Sequence, residues 1–584
     1  MSPKMEEGQA LLPFGEAIEP APEESRPDPR ANLVIEAGAG TGKTTRIVGE
    51  VLRLLLGDAT LAPERVVLIT FTEKAAGEIG QRIREAVMTI AAGEGERIDW
   101  PATSSEPIVS IPPSDAARAR DAARSHVKRL DKLRSQTIHS FCQGLLRLHP
   151  VEAGVDPQFQ LVQGFERSRR YQEIYDQWVH SETATESPEP ERYDQWTTVF
   201  RHFGQLDALR TSIFALLSRR DLLADGSYSI GGIEEADAEI RDALNELRRA
   251  DPASCEELAE KCPAALAIIE YVRATAEPER PDLEAWIRTF DPVAKELSKV
   301  NVAKVGSLRE PFTFLKRGNP FDTPRTIHQR LLRHRAALAF QQLALRFFST
   351  LDREKNRLGI VDFDDLLIRT DHLLENPEIL EAARSRYDFI FVDEFQDTDR
   401  IQARIVERLS RDTSGRLVPG RVILVGDPKQ SIYGFRRADP ETYGATVRSF
   451  EKEGAEIQAL TGQYRSRRDL VEGFNALFGN LFPSERSLDP DVFRPAYADL
   501  DARSTRPARD DVPFVVLRAP GGEDESERIR AEAESIAAWI EEHRSESSSD
   551  LRRFAILLRR RKHMLEYADA LERRGIATIM PPAQ

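Results

Sequence analysis

The sequence predicts an α/β fold built on a parallel β-sheet, and three features lead to this prediction. Short, continuously apolar runs recur along the chain, as in strands that are buried on both faces of a parallel sheet. Segments with helical periodicity separate these runs, as expected of a doubly wound sheet covered by helices. A glycine-rich turn follows the first run, and ligands of such sheets bind at the carboxyl ends of the strands.

The apolar runs predict strands at NLVIE (32–36), RVVLIT (65–70), RYDFIFVDE (386–394) and RVILVGD (421–427). Between about 150 and 350 the strand pattern is absent, and charged segments rich in Ala and Leu indicate a helical insertion. Near the end of the sequence, a helical pattern and then RRFAILLR (552–559) indicate that a second α/β domain begins.

Composition and charge restrict the class of protein. The 82 Lys and Arg residues against 97 Asp and Glu give a net charge of −15, which argues against a uniformly basic nucleic-acid-binding surface. One basic, aromatic-lined groove would still suffice to bind a strand. The 3 cysteines lack paired ligand spacing and favour a reducing cytoplasm. Residues 1–30 contain no long apolar run, so we expect a flexible leader and no membrane association.

The strongest motif is a glycine-rich loop, AGAGTGKT, between the first predicted strand and a helix. Backbone N–H groups of such a loop cradle phosphates, while its Lys reaches the β- and γ-phosphates and its last residue binds Mg²⁺. A structural loop is the alternative, but the flanking strand and helix favour phosphate binding. The candidate ATP-binding residues are Ala37, Gly38, Ala39, Gly40, Thr41, Gly42, Lys43 and Thr44.

A second motif, VDEFQDTD, places two acids directly after an apolar strand. We expect Asp393 to hold Mg²⁺ together with Thr44, and Glu394 to act as the general base toward water. The alternative is that these carboxylates only cap a helix, which leaves the preceding strand unexplained. The two motifs predict a nucleotide phosphohydrolase that uses ATP and Mg²⁺, a description that also fits kinases and transporter subunits.

Four further motifs indicate what the hydrolysis drives: ITFTEKAAGEIGQRI (69–83), TIHSFC (137–142), LVGDPKQSIYGFRRAD (424–439) and LTGQYRS (460–466). In this order they resemble the superfamily 1 DNA helicases of the UvrD/Rep type, most closely the RecB/AddA branch. The resemblance covers roughly 33–150 and 353–480. It implies a RecA-like phosphate-loop core with a large helical insertion and the start of a second RecA-like domain.

The resemblance also implies a division of the chain and an expectation about its end. The expected segments are a leader (1–30), motor domain 1A in two parts (31–150 and 351–452), a helical insertion 1B (151–350) and a partial second motor domain 2A (453–584). The last motifs of the family are expected beyond residue 584, so we expect a truncated motor.

Individual residue roles follow from the same resemblance. Gln430 is expected to sense the γ-phosphate, Arg465 to act as an arginine finger, and Tyr464 to stack on adenine. Gln463 stands where the family usually has Asn. Aromatic rings stack on any base at about 1–3 kcal/mol each, although buried core positions are the alternative for such residues. The expected DNA-binding residues are Phe71, Thr72, His139, Tyr433, Phe435 and Arg436.

The resulting hypothesis is an ATP-dependent DNA translocase and helicase of 3′ to 5′ polarity that acts in recombination or repair. Its expected partners are single-stranded DNA, duplex DNA and a second protein with helicase or nuclease activity. The alternative from a different class is a module that binds ATP and single-stranded DNA without unwinding. An unrelated phosphate-loop ATPase is disfavoured, because the strand-tracking motifs have no place in it.

Overall fold

The computed structural model describes most of the chain, in the ranges 31–94, 97–101, 108–184, 189–224, 234–276, 283–317, 327–485, 487, 493–506, 514–521, 524–544, 551 and 553–580. Within these ranges, every helix is too short or too polar to cross a membrane.

A parallel sheet of six strands forms the centre of the fold. Its spatial order is β10 (Glu456–Leu460), β1 (Leu33–Ala37), β9 (Val422–Gly426), β8 (Phe389–Val392), β2 (Val66–Thr70) and β5 (Arg134–Thr137). This arrangement confirms the predicted α/β class. The four predicted strands are the four inner ones. The two outer strands were not predicted, because a strand at a sheet edge is partly solvated and needs no continuous apolar run.

The register brings the carboxyl ends of the inner strands to one edge of the sheet. Leu33 to Glu36 of β1 pair with Ile423 to Gly426 of β9, and Val66 to Ile69 of β2 pair with Phe389 to Val392 of β8. Each of the loops that carry the predicted motifs therefore begins at this edge.

Helices cover both faces of the sheet. On one face α1 (Lys43–Gly57), α2 (Glu73–Ala92) and α3 (Pro113–Val127) pack on Leu33, Ile35 and Val66. On the other face, residues of five helices pack around Val34 and Val67. These helices are α4 (Ile138–Leu148), α16 (Phe363–Leu373), α17 (Pro377–Arg384), α18 (Arg400–Ser410) and α19 (Pro440–Lys452). Alternate side chains of β1 therefore enter opposite cores, as the period of a strand requires.

The region predicted to be an insertion is helical and contains two apolar cores. One core is aromatic, with Tyr171, Trp178, Trp196 and Phe347 among its buried rings, and the other is centred on Trp286. Its helices are α5 (Gly164–Thr183), α6 (Pro190–Phe203), α7 (Leu206–Leu216), α8 (Arg220–Ala224), α9 (Glu234–Arg248), α10 (Pro252–Lys261), α11 (Pro263–Ala274), α12 (Leu283–Phe290), α13 (Ala294–Lys299), α14 (Arg309–Arg317) and α15 (Ile327–Leu358).

Short strand pairs and three C-terminal helices complete the described elements. The pairs are β3 (Ile98–Trp100) with β4 (Val109–Ile111), β6 (Gln160–Leu161) with β7 (Ile360–Val361), and β11 (Gly462–Gln463) with β12 (Asp501–Ala502). The helices are α20 (Arg468–Phe478), α21 (Glu525–His543) and α22 (Met564–Arg573).

Three local expectations need correction. Strand β10 was assigned to the second domain, but it hydrogen-bonds to β1 and therefore belongs to the first sheet. Helix α15 continues through the expected boundary at 350, because its apolar face stays packed on the aromatic core up to Leu351. The run RRFAILLR has no strand at 553–559, where no described neighbour hydrogen-bonds to it as a ladder. The division into segments otherwise stays a prediction.

We expect Gly426→Ala to destabilise the protein by about 1–3 kcal/mol, because it over-packs the carboxyl end of β9. The new methyl group would lie 2.6 Å from Gln396 Oε1 and 3.2 Å from the Gln396 backbone nitrogen. Gly77→Ala is the matched control. It lies in α2 with nothing within 4 Å of the new methyl, and should stabilise by about 0.5–1 kcal/mol. Denaturant unfolding of both variants measures the difference; equal effects would contradict the packing argument.

Candidate nucleotide and single-strand site

The glycine-rich loop connects β1 to α1 in a tight turn. Gly40 and Gly42 have φ angles of 81° and 90°, a left-handed conformation that glycine adopts without a Cβ clash. Thr41 Oγ1 donates a hydrogen bond to the Gly38 carbonyl at 2.8 Å and braces the turn from within. The loop therefore directs its N–H groups and the amino end of α1 toward one open side.

Lys43 and Glu394 meet across this open side. Lys43 Nζ donates to Glu394 Oε2 at 2.6 Å, although the residues lie 351 positions apart. Glu394 has a φ of 52°, a strained conformation for a residue with a side chain. The strained residue Glu394 follows shortly after the buried strand β8. The sheet therefore holds the Glu394 carboxylate next to Lys43.

Two acids close to Glu394 have raised pKa values. Burial, followed by the charge of Glu394, raises the pKa of Asp393 to about 6. Burial and Glu394 likewise raise the pKa of Asp397 to about 6. Both shifts arise because three carboxyl groups of one motif share a partly desolvated space in which Lys43 is the opposing charge. Three carboxyl groups with one opposing charge favour the binding of a further cation.

An open cavity of about 410 Å³ lies over the loop. Its walls are Gly38, Ala39, Gly40, Gly42, Lys43, Thr44, Thr45, Arg82, Glu394, Gln430, Tyr464 and Arg465. These residues fit a nucleoside triphosphate with Mg²⁺. The backbone turn and Lys43 suit phosphate, and the Thr44 hydroxyl and the Asp393 carboxylate are oxygen ligands of the kind that Mg²⁺ prefers.

Three predicted residues lie outside the cavity wall. Ala37 is the last residue of β1 and is buried in the core, and Thr41 is turned inward by its bond to Gly38. Ala37 and Thr41 therefore help to shape the loop but do not line the cavity. Asp393 lines an adjacent crevice, where its Oδ1 accepts from the Glu394 N–H at 3.0 Å.

The motif after β10 contacts the glycine-rich loop directly. Tyr464 N–H donates to the Gly40 carbonyl at 2.9 Å, and Gln463 Nε2 donates to the Ala39 carbonyl. Gln463 Oε1 also accepts from the Arg465 N–H at 2.7 Å. The Tyr464 ring is 51% exposed, and the Arg465 side chain lies at the cavity. Gln463, noted in the sequence only as a departure from Asn, thus holds both residues beside the loop.

Three further residues of the site were not predicted. Thr45 directly follows the predicted loop and lines the cavity. Arg82 of α2 lines the cavity, and its place in the ITFTEKAAGEIGQRI motif was the available signal. Gln396 is buried and bridges two motifs: its Nε2 donates to Glu394 Oε2 at 2.8 Å, and its Oε1 accepts from the Asp427 N–H at 2.9 Å. Gln430 Nε2 in turn donates to Asp427 Oδ2 at 2.7 Å.

Phe71, Tyr433, Phe435 and Arg436 form one aromatic-arginine cluster at the surface. The ring centroids of Phe71 and Tyr433 are 4.9 Å apart, and those of Tyr433 and Phe435 are 5.7 Å apart. The Arg436 guanidinium lies 5.5 to 5.9 Å from the three ring centres. Phe435 is 80% exposed, so the cluster offers a flat apolar face with a positive charge to solvent. The alternative that these aromatic residues are buried core residues therefore does not apply to Phe435.

Thr72 and His139 flank the aromatic-arginine cluster without joining its stack. Thr72 Oγ1 accepts from the Ala75 N–H at 3.1 Å and caps α2 while remaining exposed. The His139 ring lies edge-on to Phe363 with centroids 5.1 Å apart. Burial, and then the nearby charge of Arg436, lower the pKa of His139, so the ring is neutral at physiological pH.

A small cavity of about 20 Å³ lies between Phe71 of the aromatic-arginine cluster and the acidic residues. Its lining includes Phe71, Asp393, Glu394 and Thr398. The cavity over the glycine-rich loop and the exposed rings therefore lie at the same edge of one sheet, on loops that follow neighbouring strands.

Comparison with known proteins agrees with this geometry. The sequence profile of the UvrD/REP helicase N-terminal domain matches residues 19–451. The chain is 30% identical over 492 residues to the RecBCD enzyme subunit RecB of Escherichia coli (strain K12), which covers 76% of the chain and 38% of that protein. It is 25% identical over 513 residues to an ATP-dependent helicase/nuclease subunit of Alkaliphilus oremlandii (strain OhILAs), which covers 78% of the chain and 38% of that protein.

A third relative is the RecBCD enzyme subunit RecB of Chlamydia muridarum (strain MoPn / Nigg), 26% identical over 461 residues, 76% of the chain and 42% of that protein. The chain spans less than half the length of these curated relatives. Because the matching profile covers most of the chain, and these relatives align with 78% and 76% of it, the chain belongs to the UvrD/REP helicase family, in the branch of RecB and the ATP-dependent helicase/nucleases.

Proposed function

We propose that the chain is the ATP-hydrolysing part of a DNA helicase motor that moves along single-stranded DNA in recombination or repair, with 3′ to 5′ polarity. The observation that carries this proposal is the position of Phe71 of the aromatic-arginine cluster, which lines one small cavity at the sheet edge together with Asp393 and Glu394. A nucleotide site alone would fit many phosphate-loop enzymes, whereas an exposed ring stack at the same sheet edge suits a motor that grips a strand.

The proposed chemistry is phosphoryl transfer to water. ATP with Mg²⁺ supplies the reactive phosphoryl group, and the metal neutralises charge on its oxygens. Lys43 and Thr44 bind the phosphates and the metal, while Asp393 supplies a metal ligand. Glu394 accepts a proton from the attacking water once Lys43, its present partner at 2.6 Å, turns to phosphate. Arg465, at the cavity wall, stabilises negative charge as the phosphoryl group leaves.

Hydrolysis reaches the strand through a chain of hydrogen bonds. Gln396 contacts the Glu394 carboxylate and the Asp427 N–H, and Asp427 accepts from Gln430. Gln430 lies at the cavity and begins the loop that carries Tyr433. A change at the phosphate end therefore alters the loop that bears the rings, because buried polar contacts have few alternative partners.

The proposed strand contact is independent of base sequence. Rings of Phe71, Tyr433 and Phe435 would stack on bases, and Arg436 would meet phosphate or a base face. Thr72 and His139 border this path. Further proposed partners are duplex DNA ahead of the strand and a second protein with helicase or nuclease activity. A cytoplasmic location belongs to the same proposal.

Single-stranded DNA should stimulate ATP hydrolysis by the chain, and two substitutions should abolish it. Lys43→Ala removes the phosphate contact, so both ATP binding and hydrolysis fall. Glu394→Gln leaves binding intact but lowers hydrolysis by about 10²–10⁴-fold, since the proton acceptor is lost. Lys74→Ala and Glu78→Gln are matched controls on α2, where these side chains are 87% and 54% exposed. Phosphate release assays with and without DNA measure the rates; no stimulation by DNA in the unaltered chain would refute the motor.

The Mg²⁺ requirement should depend on pH in a defined direction. Because the pKa of Asp393 is raised to about 6, a proton competes with Mg²⁺ below that pH. The Mg²⁺ concentration for half-maximal binding of a fluorescent ATP analogue should rise about tenfold per pH unit below 6 and level off above it. Asp393→Asn should remove the part of this dependence that belongs to the carboxyl group and leave only the part contributed by protonation of the terminal phosphate of the nucleotide, whose pKa is also about 6. Asp397→Asn should keep the full dependence, although the pKa of Asp397 is also about 6; the reverse pattern would assign the metal to Asp397.

Removing one exposed ring should weaken the strand contact alone. Phe435→Ala should raise the concentration of single-stranded DNA needed for half-maximal ATPase stimulation by about tenfold, the cost of one base stack. The factor should be the same for oligonucleotides of different sequence. Phe165→Ala provides the control, because Phe165 is 84% exposed and lies on α5 of the insertion. An unchanged DNA requirement in Phe435→Ala would place the strand elsewhere.

A further inference from the structure

Arg437 follows the aromatic-arginine cluster in sequence and has a backbone conformation that side chains disfavour. Its φ is 73°, and among the described residues other than glycine only Glu394 shares a positive φ. The turn before it is closed by hydrogen bonds from the Arg436 and Ala438 N–H groups to the Tyr433 carbonyl, at 2.7 and 3.2 Å. The Arg437 N–H also donates to the Gly434 carbonyl at 3.0 Å, so local bonds hold the backbone of Arg437, and its side chain makes a further contact outside the turn.

The contact is an ion pair with the insertion. Arg437 Nη2 donates to both carboxylate oxygens of Asp221, at 2.9 and 2.8 Å. The two side chains are 13% and 6% exposed, so water screens the pair weakly. Asp221 lies in α8, 216 residues earlier in the chain. The pair thus connects the loop of the rings to the helical insertion.

Helix α8 is itself anchored by the residue before Asp221. Arg220 is buried, and its Nη2 donates to Asp365 Oδ1 at 2.6 Å and to Asp362 Oδ1 at 3.4 Å. Asp362 and Asp365 form the capping box of α16, and Lys355 Nζ donates to Asp365 at 2.6 Å. The carboxylate of Asp221 is therefore presented from a rigid base.

The surroundings of Arg437 differ from those of Arg436. Besides Asp221, the carboxyl groups of Asp364 and Asp399 face Arg437. Burial raises the pKa of both acids, and the charge of Arg437 offsets part of that rise. The Arg437 guanidinium is directed into the protein, toward these three acids, whereas Arg436 is exposed beside the rings. Adjacent arginines thus have opposite orientations.

We propose that Arg437 and Asp221 are positioning residues that hold the loop of Tyr433, Phe435 and Arg436 in its strand-binding arrangement and tie it to the insertion. This inference rests on the proposed function. The ion pair anchors the turn to the insertion through the residue next to Arg436, and so holds the Arg436 guanidinium in its place over the rings. A displacement of α8 would therefore shift the strand-binding loop, without any direct contact between the insertion and the nucleotide.

The test is DNA-stimulated ATP hydrolysis by the full chain carrying Asp221→Asn, Arg437→Gly or both. Glycine suits the φ of 73°, so Arg437→Gly removes the ion pair while relieving strain. Each variant should raise the single-stranded DNA concentration for half-maximal stimulation by about tenfold, the effect of one charged hydrogen-bonded contact. The DNA-free rate should stay unchanged. The double variant should be no worse than either single one, because both lose the same contact.

Asp194→Asn is the matched control, since Asp194 accepts from Arg335 Nη2 through both oxygens at 2.8 and 2.9 Å elsewhere in the insertion. Its DNA requirement should equal that of the unaltered chain. Because Asp194 is 57% exposed and Asp221 only 6%, the test variants are expected to lose more stability than this control, so thermal unfolding is used to verify that each variant stays folded at the assay temperature. Tighter DNA binding by Asp221→Asn would overturn the inference, because it would mean that the freed Arg437 contacts phosphate. If DNA stimulates the unaltered chain but the variants have an unchanged DNA requirement, only this inference is overturned. If DNA does not stimulate the unaltered chain, the proposed function is overturned as well.

Discussion

The hydrogen-bond register of the parallel sheet is the constraint on which the candidate site depends. β1 pairs with β9, and β8 pairs with both β9 and β2, so four loops begin at one edge. Lys43 and Glu394 come within 2.6 Å although 351 residues separate them. A slip of one residue in any strand would turn its side chains to the other face and carry its loop away from this edge.

Polar contacts between the loops convert that proximity into a connected site. Gln396 joins Glu394 to the Asp427 backbone, and Asp427 joins Gln430 to the same network. The buried Arg220 and the Asp221–Arg437 ion pair extend the connection into the helical insertion. Gln396, Asp427, Arg220 and Asp221 are buried. Losing the partner of any of these groups leaves it without compensation, and the parts are therefore expected to respond together.

Local sequence was enough to predict the four inner strands, the glycine-rich loop and the acidic pair. A strand buried on both faces must be apolar throughout, and a loop that cradles phosphate must contain glycine, so both leave a continuous pattern in the chain. The helical nature of the insertion is readable for the same reason, because a helix records its buried face every three to four residues. The ordered motifs also identified the family correctly, as the profile match to residues 19–451 shows.

Tertiary structure alone decided which residues act across the loops. The edge strands β5 and β10 are stabilised by partners on one side and need no apolar run, so their sequences resemble loops. Gln396 and Gln463 read as ordinary polar residues, yet each bridges two motifs through its amide. Arg436 faces solvent, whereas its neighbour Arg437 is turned inward and pairs with Asp221, far away in the chain. Such choices arise from contacts between distant residues, and no local period or propensity encodes them.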